Sequence, residues 1–278
     1  MKIVIIPNEK KDQRFVLTKR VISELLARGA EVCLDAALPL ASENACLYEH
    51  FPIDADAIIV IGGDGSILDA SHYAVQFDIP ILGINLGHLG YLSELAPSDI
   101  SNLARLLSGD YTVEEKMLLS VSIDDVAALE RFAVNEVVFS HSNPIELTYI
   151  TMKDRYGASV KYRADGLIFA TPVGSTAYSF SAGGPIVLHD HPSILVTPVC
   201  PHSFFDRSLV FSDEETLTVS CGSQAPLNIS VDGRPFCVLS AGSSCRVQRS
   251  EKNLKMITFC KENRIHALFS KMHSVEEI

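Results

Sequence analysis

The chain is short of positive charge and has no Lys/Arg block. Its 278 residues carry 23 Lys and Arg against 34 Asp and Glu, a formal net charge of −11. That balance excludes a sequence-independent nucleic-acid binder and a polybasic membrane-surface protein. A protein so charged binds phosphates with local devices, such as Gly-rich loops and a metal ion. No apolar run reaches the ~20 residues that cross a bilayer. The opening run MKIVIIP is too short for a signal-peptide core and reads as a buried strand. No C-x-x-C pair occurs among Cys33, Cys46, Cys200, Cys221, Cys237, Cys245 and Cys260, and their number is odd. A disulfide framework and a zinc ribbon are therefore disfavoured, and a reduced compartment fits. Low complexity and internal repeats are absent too. With 47% hydrophobic and 21% charged residues the composition is globular. A soluble, cytoplasmic protein is expected, of one large or two small domains at ~150 residues each.

Up to residue 109 strand and helix signals alternate. Residues 2–6 are a β-branched run. Phe15, Val16, Lys19, Val21, Ile22, Leu25 and Leu26 recur near helical spacing, and Gly29 stands where a C-terminal cap belongs. Residues 31–34 suit a strand. Residues 57–61 are wholly apolar, as a central parallel strand is. A helix is expected over 66–75, a strand over 80–84, and a helix over 98–107 with Ser98 as N-cap and Gly109 past its end. This predicts a Rossmann-like, doubly wound α/β domain over 1–109.

Beyond residue 109 the pattern turns to β. Period-two alternation at 119–123 precedes strand candidates at 147–152, 193–199, 208–211, 216–221, 227–231, 236–239 and 245–249. Asp232-Gly233 and Gly242-Ser243 punctuate them. A β-rich, β-sandwich-like domain is expected over 110–260. The segment 261–278 is a candidate to pack back on the first domain.

The sharpest local signal is Gly62-Gly63-Asp64-Gly65-Ser66, directly after the apolar strand and opening a helix. Glycines let backbone approach a ligand, and N–H groups at a helix start suit phosphate oxygens. Gly62, Gly63, Gly65 and Ser66 are thus candidates for a phosphate-binding loop. Beside a phosphate, Asp64 either helps hold Mg²⁺ or accepts a proton from a hydroxyl. The plainer alternative is a tight turn with Asp64 as helix cap. The loop is neither a Walker loop nor the G-x-G-x-x-G fingerprint.

A second glycine block, Gly83-Ile84-Asn85-Leu86-Gly87-His88-Leu89-Gly90-Tyr91-Leu92, also follows a strand. His88 and Tyr91 are ligand candidates there, with a structural turn as the equal alternative. Asn135-Glu136 interrupts an apolar, strand-like run over 132–139. Buried together, amide and carboxylate need hydrogen bonds, which ribose hydroxyls or a base would supply. By strand alternation alone, one of the two faces solvent. The longest signature runs from Arg163 to Pro185, RADGLIFATPVGSTAYSFSAGGP, with small hydroxyl residues and Gly after a strand core. His189 and His191 lack a third metal ligand at useful spacing, and no side chain stands out as a metal ligand.

These four blocks, in this order, resemble the NAD kinase family, over roughly residues 58–181 with a weaker echo at 198–203. The G-G-D-G block alone is shared with lipid kinases. The blocks G-x-N-x-G-H-L-G-[FY]-L and D-G-L-I-x-x-T-P-x-G-S-T-A-Y are far more specific. The resemblance implies an α/β domain followed by a β-rich one, and phosphoryl transfer to the adenosine-ribose 2′-hydroxyl of NAD. The donor would be ATP or another triphosphate or polyphosphate, with a divalent metal, most simply Mg²⁺. It implies Asp64 as proton acceptor. NAD would be held by Asp64, Gly65, Tyr91, Asn135, Glu136, Arg163, Asp165, Thr176, Ala177, Tyr178 and Ser181. Asp232 and Arg234, beside Gly233, stand where the family carries further site residues, although a D-G hairpin turn explains Asp232 equally well. Val173 departs from the family's hydroxyl residue before Gly174. A homo-oligomer, dimer or tetramer, is implied as well. Two other readings share parts of the pattern: a diacylglycerol-type lipid kinase, whose G-T-x-N-D block is missing here, and a non-catalytic NAD(P)-binding sensor.

Overall fold

The computed structural model describes residues 1–40, 45–87, 90–123, 130–142, 148–202, 206–222 and 226–259. The chain divides into two compact units. Among the described residues the first is Met1–Glu115 together with residues 254–259, and the second is Lys116–Asn253. The segment 261–278, like His88, lies outside the described residues.

The first unit is built on the apolar runs that the sequence marks as strands. These are β1 (Lys2–Pro7), β2 (Glu31–Asp35), β3 (Cys46–Tyr48), β4 (Ala57–Gly62) and β5 (Ile81–Asn85). They pair in parallel in the order β5-β4-β1-β2-β3. β4 is buried at every residue, as expected of a central strand covered on both faces. Its register sets Val4 against Ile58 and Ile59 against Leu82.

One face of this sheet shows Ile3, Ile5, Ile59, Ile61, Leu82 and Ile84 to α1 (Val16–Ala27) and α3 (Leu103–Ser108). The other face carries α2 (Asp64–Phe77). There Gly83 leaves room for Ile67, whose Cδ1 would stand 2.6 Å from any β-carbon at that position. Helices on both faces of a parallel sheet are the doubly wound arrangement that the alternating pattern predicts.

Two local expectations change. Helix α2 runs two residues further at each end than 66–75. Ser98 does not cap a helix. Pro97–Asn102 is a 3₁₀ segment, Leu103–Ser108 is helical, and Gly109 ends it with φ +78°. Pro97 suits the first position of a helical turn, where its missing N–H would have no acceptor anyway.

The second unit holds longer and more numerous strands than the candidates. β6 (Thr112–Ile123) enters it from the first unit, followed by β7 (Glu130–Ala133), β8 (Glu136–His141), β9 (Thr148–Lys153) and β10 (Ser159–Ala164). Next come β11 (Gly166–Ala170), α4 (Tyr178–Ser181), β12 (Ser193–Val199), β13 (Leu209–Ser212) and β14 (Thr216–Cys221). β15 (Leu227–Val231), β16 (Arg234–Leu239) and β17 (Ser244–Thr258) complete it, β17 leaving for the first unit at Leu254.

One antiparallel sheet has the order β13-β12-β11-β8-β15-β16, and β10-β9-β14-β17 form the other. Alternate residues of both meet in one core, including Phe139, Phe169, Ile150, Met152, Tyr162, Leu217 and Val219. Phe139 and Phe169 meet edge to face at 5.4 Å between centroids. This is the sandwich expected of alternating strands.

Candidate active site

In the first unit β4 ends at Gly62, Gly63 is the N-cap, and Asp64, Gly65 and Ser66 form the first turn of α2. Asp64 is not the helix cap. Its carboxylate instead reaches the loop after β5 and accepts the N–H groups of Tyr91 at 2.8 Å and Leu92 at 3.2 Å, with the Ser93 hydroxyl at 3.5 Å. A side chain at Gly90 would overlap that carboxylate, so the loop approaches this closely only as glycine. Gly62 likewise has no room for a β-carbon, because Ser66 fills the space. The Ser66 hydroxyl accepts Asn8 Nδ2 at 2.8 Å, which ties the segment after β1 to the same turn. The Gly62 carbonyl takes the Leu86 N–H at 2.6 Å.

Three connections therefore meet at the C-terminal ends of β1, β4 and β5, the edge where open α/β sheets take ligands. Tyr91 is partly buried. Burial first, and then the Asp64 carboxylate, push its phenol above the usual value. The N–H donors at Asp64 were not foreseen from the sequence; the three glycines of the second block are the signal that pointed to a close approach.

In the second unit the run 132–139 is not one strand. It breaks between β7 and β8, and Asp232 is the cause. The Asp232 carboxylate accepts the backbone N–H groups of Val134 at 2.8 Å, Asn135 at 2.7 Å and Glu136 at 3.0 Å. Asp232 (φ +48°) and Gly233 (φ +74°) make the two-residue turn between β15 and β16, where both central residues need positive φ. The D-G pair is thus a turn whose side chain also reaches across the sheet.

The loop after β11 holds the same link from the other side. The Thr171 N–H donates to the Asn135 carbonyl at 2.9 Å, and its hydroxyl to the Val134 carbonyl at 2.6 Å. Any β-carbon on Gly174 would overlap the Asn135 carbonyl, so the turn comes this close only as glycine. The Thr171 hydroxyl accepts the Gly174 N–H at 3.0 Å, so a hydroxyl two residues before Val173 serves this turn.

Glu136 is 6% exposed. It receives the Tyr178 N–H, and its Oε2 is buried with no partner among the described residues. Burial, and next the Asp232 carboxylate, push Glu136 up to about 7. Asp232 is raised as well, burial outweighing the three N–H groups and Arg234. Two adjacent buried carboxyls, one with an oxygen unpartnered among the described residues, are chemically suited to a ligand hydroxyl. Thr176 donates to the Val173 carbonyl at 3.1 Å, Ala177 N–H to the Gly174 carbonyl at 3.0 Å, and Tyr178 and Ser181 are exposed beside them. Ser179 is fully buried against Thr197 at 2.9 Å and serves the fold.

Arg163 and Asp165 do not join this group within the chain, contrary to the single site expected. Glu136 pairs with Ala170 at one end of β11, whereas Ser140 pairs with Gly166 at the other, next to Asp165. The four residue steps of extended strand from Gly166 to Ala170 separate those ends by about 13 Å. At that far end the Asp165 N–H donates to Val199 at 3.0 Å, and Arg163 lies 6.0 Å over the Tyr149 ring. The physical reason is elementary: residues flanking a five-residue strand stand at its opposite ends. Arg234 begins β16 beside Asp232.

Among the described residues one trio of Glu, Cys or His side chains is spaced for a metal, Glu31, Cys33 and Cys46 on β2 and β3. His191 pairs with Asp190 at 3.8 Å. Asp64 is the carboxylate at the glycine loops, and one carboxylate fits a Mg²⁺ that keeps waters and phosphate oxygens as its other ligands.

Residues 3–111 match the family described as ATP-NAD kinase N-terminal domain, and 134–259 match ATP-NAD kinase C-terminal domain. An NAD kinase of Natranaerobius thermophilus is 33% identical over 281 residues, covering 99% of this chain and 98% of that one. An NAD kinase of Thermococcus sibiricus is 34% identical over 272 residues, covering 93% and 94%. The crystal structure of an NAD kinase from Archaeoglobus fulgidus in complex with ATP superposes with a TM-score of 0.76 at 27% identity, covering 99% of each chain. Yeast NADH kinase complexed with NADH shares the fold, with a TM-score of 0.84 at 24% identity over 97% of this chain and 86% of that one. No helix among the described residues is long and apolar enough to cross a membrane. With a glycine-loop carboxylate, a clamped Asn-Glu pair and both domains matched, the chain belongs to the NAD kinase family of phosphotransferases.

Proposed function

We propose that the chain transfers the terminal phosphoryl group of ATP to the adenosine-ribose 2′-hydroxyl of NAD, forming NADP and ADP. The observation that carries this reading is the fixed carboxylate of Asp64 at the start of α2, with both oxygens oriented by the 91–93 loop. Such transfers depend on positioning and charge stabilisation more than on covalent chemistry. Asp64 accepts the hydroxyl proton as the ribose oxygen bonds to phosphorus. The bond from that phosphorus to the departing ADP oxygen breaks. Gly62, Gly63 and Gly65 present backbone to the donor phosphates at the first turn of α2, while the Ser66 N–H is held by the Gly63 carbonyl at 2.8 Å and braces that turn.

Asn135 and Glu136 bind NAD hydroxyls, with Thr176, Ala177, Tyr178 and Ser181 lining the same end of the sandwich. A divalent cation such as Mg²⁺, arriving with the nucleotide, would neutralise phosphate charge. Asp64 is the side chain that fits it.

We assign Arg163 and Asp165 to a second NAD-contacting group. Their distance from Glu136 along β11 supports a homo-oligomer in which one copy completes the site of another.

The test is NADP formation from NAD, ATP and Mg²⁺, read with an NADP-specific dehydrogenase, with Asp64→Asn alongside. Losing a general base lowers kcat by ~10²–10⁴, while NAD binding survives. Near-normal turnover of the variant would remove Asp64 from the role of base. NAD binding without turnover of the wild type by any donor would leave a binding module on a kinase fold.

A further inference from the structure

The phosphate loop has no positive charge of its own. No Lys or Arg stands between Arg28 and Arg105, a stretch holding both glycine blocks and every strand of the first unit from β2 to β5. In a chain of net charge −11, any protein cation that joins the loop and a metal ion in holding polyphosphate there has to come from elsewhere in the fold. The structure brings one. A β-carbon on Gly63 would lie 2.8 Å from Lys11 Nζ and 3.7 Å from Asn85 Oδ1. The ammonium therefore sits directly over the N-cap of α2. Among the described residues no hydrogen bond or ion pair takes it up.

The placement is built by the β1 connection. Asn8 donates to the Ser66 hydroxyl at 2.8 Å and receives the Lys10 and Lys11 N–H groups on Oδ1, each at 3.1 Å. Asn8 N–H also bonds to the Ile61 carbonyl at 2.7 Å. Asp12, 4% exposed, anchors the other side of Lys11 by accepting the N–H groups of Leu17 at 3.0 Å and Thr18 at 2.8 Å.

The topology gives this position its meaning. In the order β5-β4-β1-β2-β3 the chain reverses direction between β1 and β4, so the connections after these two strands part to opposite faces. Ligands of open α/β sheets bind at that switch point. Lys11 comes from one of the two connections and Gly63 from the other.

We propose that Lys11 is a phosphate-binding residue of the donor site, its ammonium bonding the terminal phosphate oxygens of the nucleoside triphosphate against the Gly62-Gly63 turn. This rests on the NAD kinase reading above. An ammonium serves there as a compact point charge, supplying what the loop's backbone dipoles lack.

The experiment compares wild type, Lys11→Met and Lys11→Arg as full chains. Steady-state kinetics are measured with ATP and with NAD varied separately. Competition by inorganic tripolyphosphate is measured in parallel, and NAD affinity by direct binding. Lys11→Met should lose about 10²-fold in kcat/KM for ATP, the scale of one aimed charge. It should also lose tripolyphosphate competition. NAD affinity should stay within about twofold, since a remote site does not couple. Lys11→Arg should recover part of the loss because it keeps the charge.

Unchanged ATP kinetics in Lys11→Met, with an active wild type, would overturn the proposal and leave the function standing. A rise confined to KM for NAD would overturn it too, placing Lys11 on the acceptor side. If the wild type phosphorylates no NAD, the activity reading fails, and tripolyphosphate protection against thermal unfolding still decides the role of Lys11.

Discussion

The two units solve one problem, holding a carboxylate where chemistry needs it, by opposite means. In the first unit the acid is local. Asp64 sits two residues after the end of β4, and partners 27 to 29 residues away fix it. In the second unit the carboxylate of Asp232 reaches 96 to 98 residues back to set the backbone of Val134, Asn135 and Glu136. A parallel α/β sheet gathers consecutive loops at one edge, so its site is nearly contiguous in sequence. An antiparallel sandwich brings strands together from distant stretches, so its site is assembled by register.

The largest expected effect breaks the first arrangement alone. Gly90→Ala pushes a methyl group into the Asp64 carboxylate. A misplaced general base costs on the order of 10² in kcat. NAD binding in the second unit should persist, and single-turnover kinetics beside direct NAD binding check this. Retained kcat would show that the 90–93 loop does not orient Asp64.

The next breaks the second arrangement. Asp232→Ala leaves three backbone N–H groups without their acceptor. At about 1–3 kcal/mol for each orphaned buried donor, and with water relieving some, the loss should be about 3 kcal/mol. KM for NAD should rise about tenfold while KM for ATP holds, the signature of lost binding rather than lost chemistry. Asp232→Asn keeps one acceptor oxygen and tolerates positive φ, so it should fall between. Denaturant melts and the two KM values together decide it.

The smallest effect sharpens the comparison through pH. Glu136 is raised from 4.5 to about 7 by burial and by Asp232. A carboxyl raised in the fold is protonated in both states below the unfolded value and costs nothing there. Between 4.5 and 7 the native state holds the extra proton, so stability falls as pH rises through that window. Glu136→Gln should remove the slope and add about 1–2 kcal/mol at pH 8, with little change at pH 4. A thermal-unfolding series against pH reads this directly. An unchanged slope would assign the titration to Asp232 or to another group.

By itself the sequence determined most elements of the first unit, several strands of the second, and the position of a carboxylate inside a glycine loop after a buried strand. The wholly apolar 57–61 run, Gly62-Gly63-Asp64-Gly65-Ser66 and the 216–221 and 227–231 strands were legible because periodicity and glycine chemistry are local. The break at 134–135 was not, since an apolar run reads as one strand until an acid from another hairpin is seen to pin it. The division of the candidate residues between the two ends of β11 and the ammonium over Gly63 were hidden for the same reason. Which side chains meet across strands depends on pairing order and register, and those are settled by burying two sheet faces at once, an energy no short stretch of residues contains.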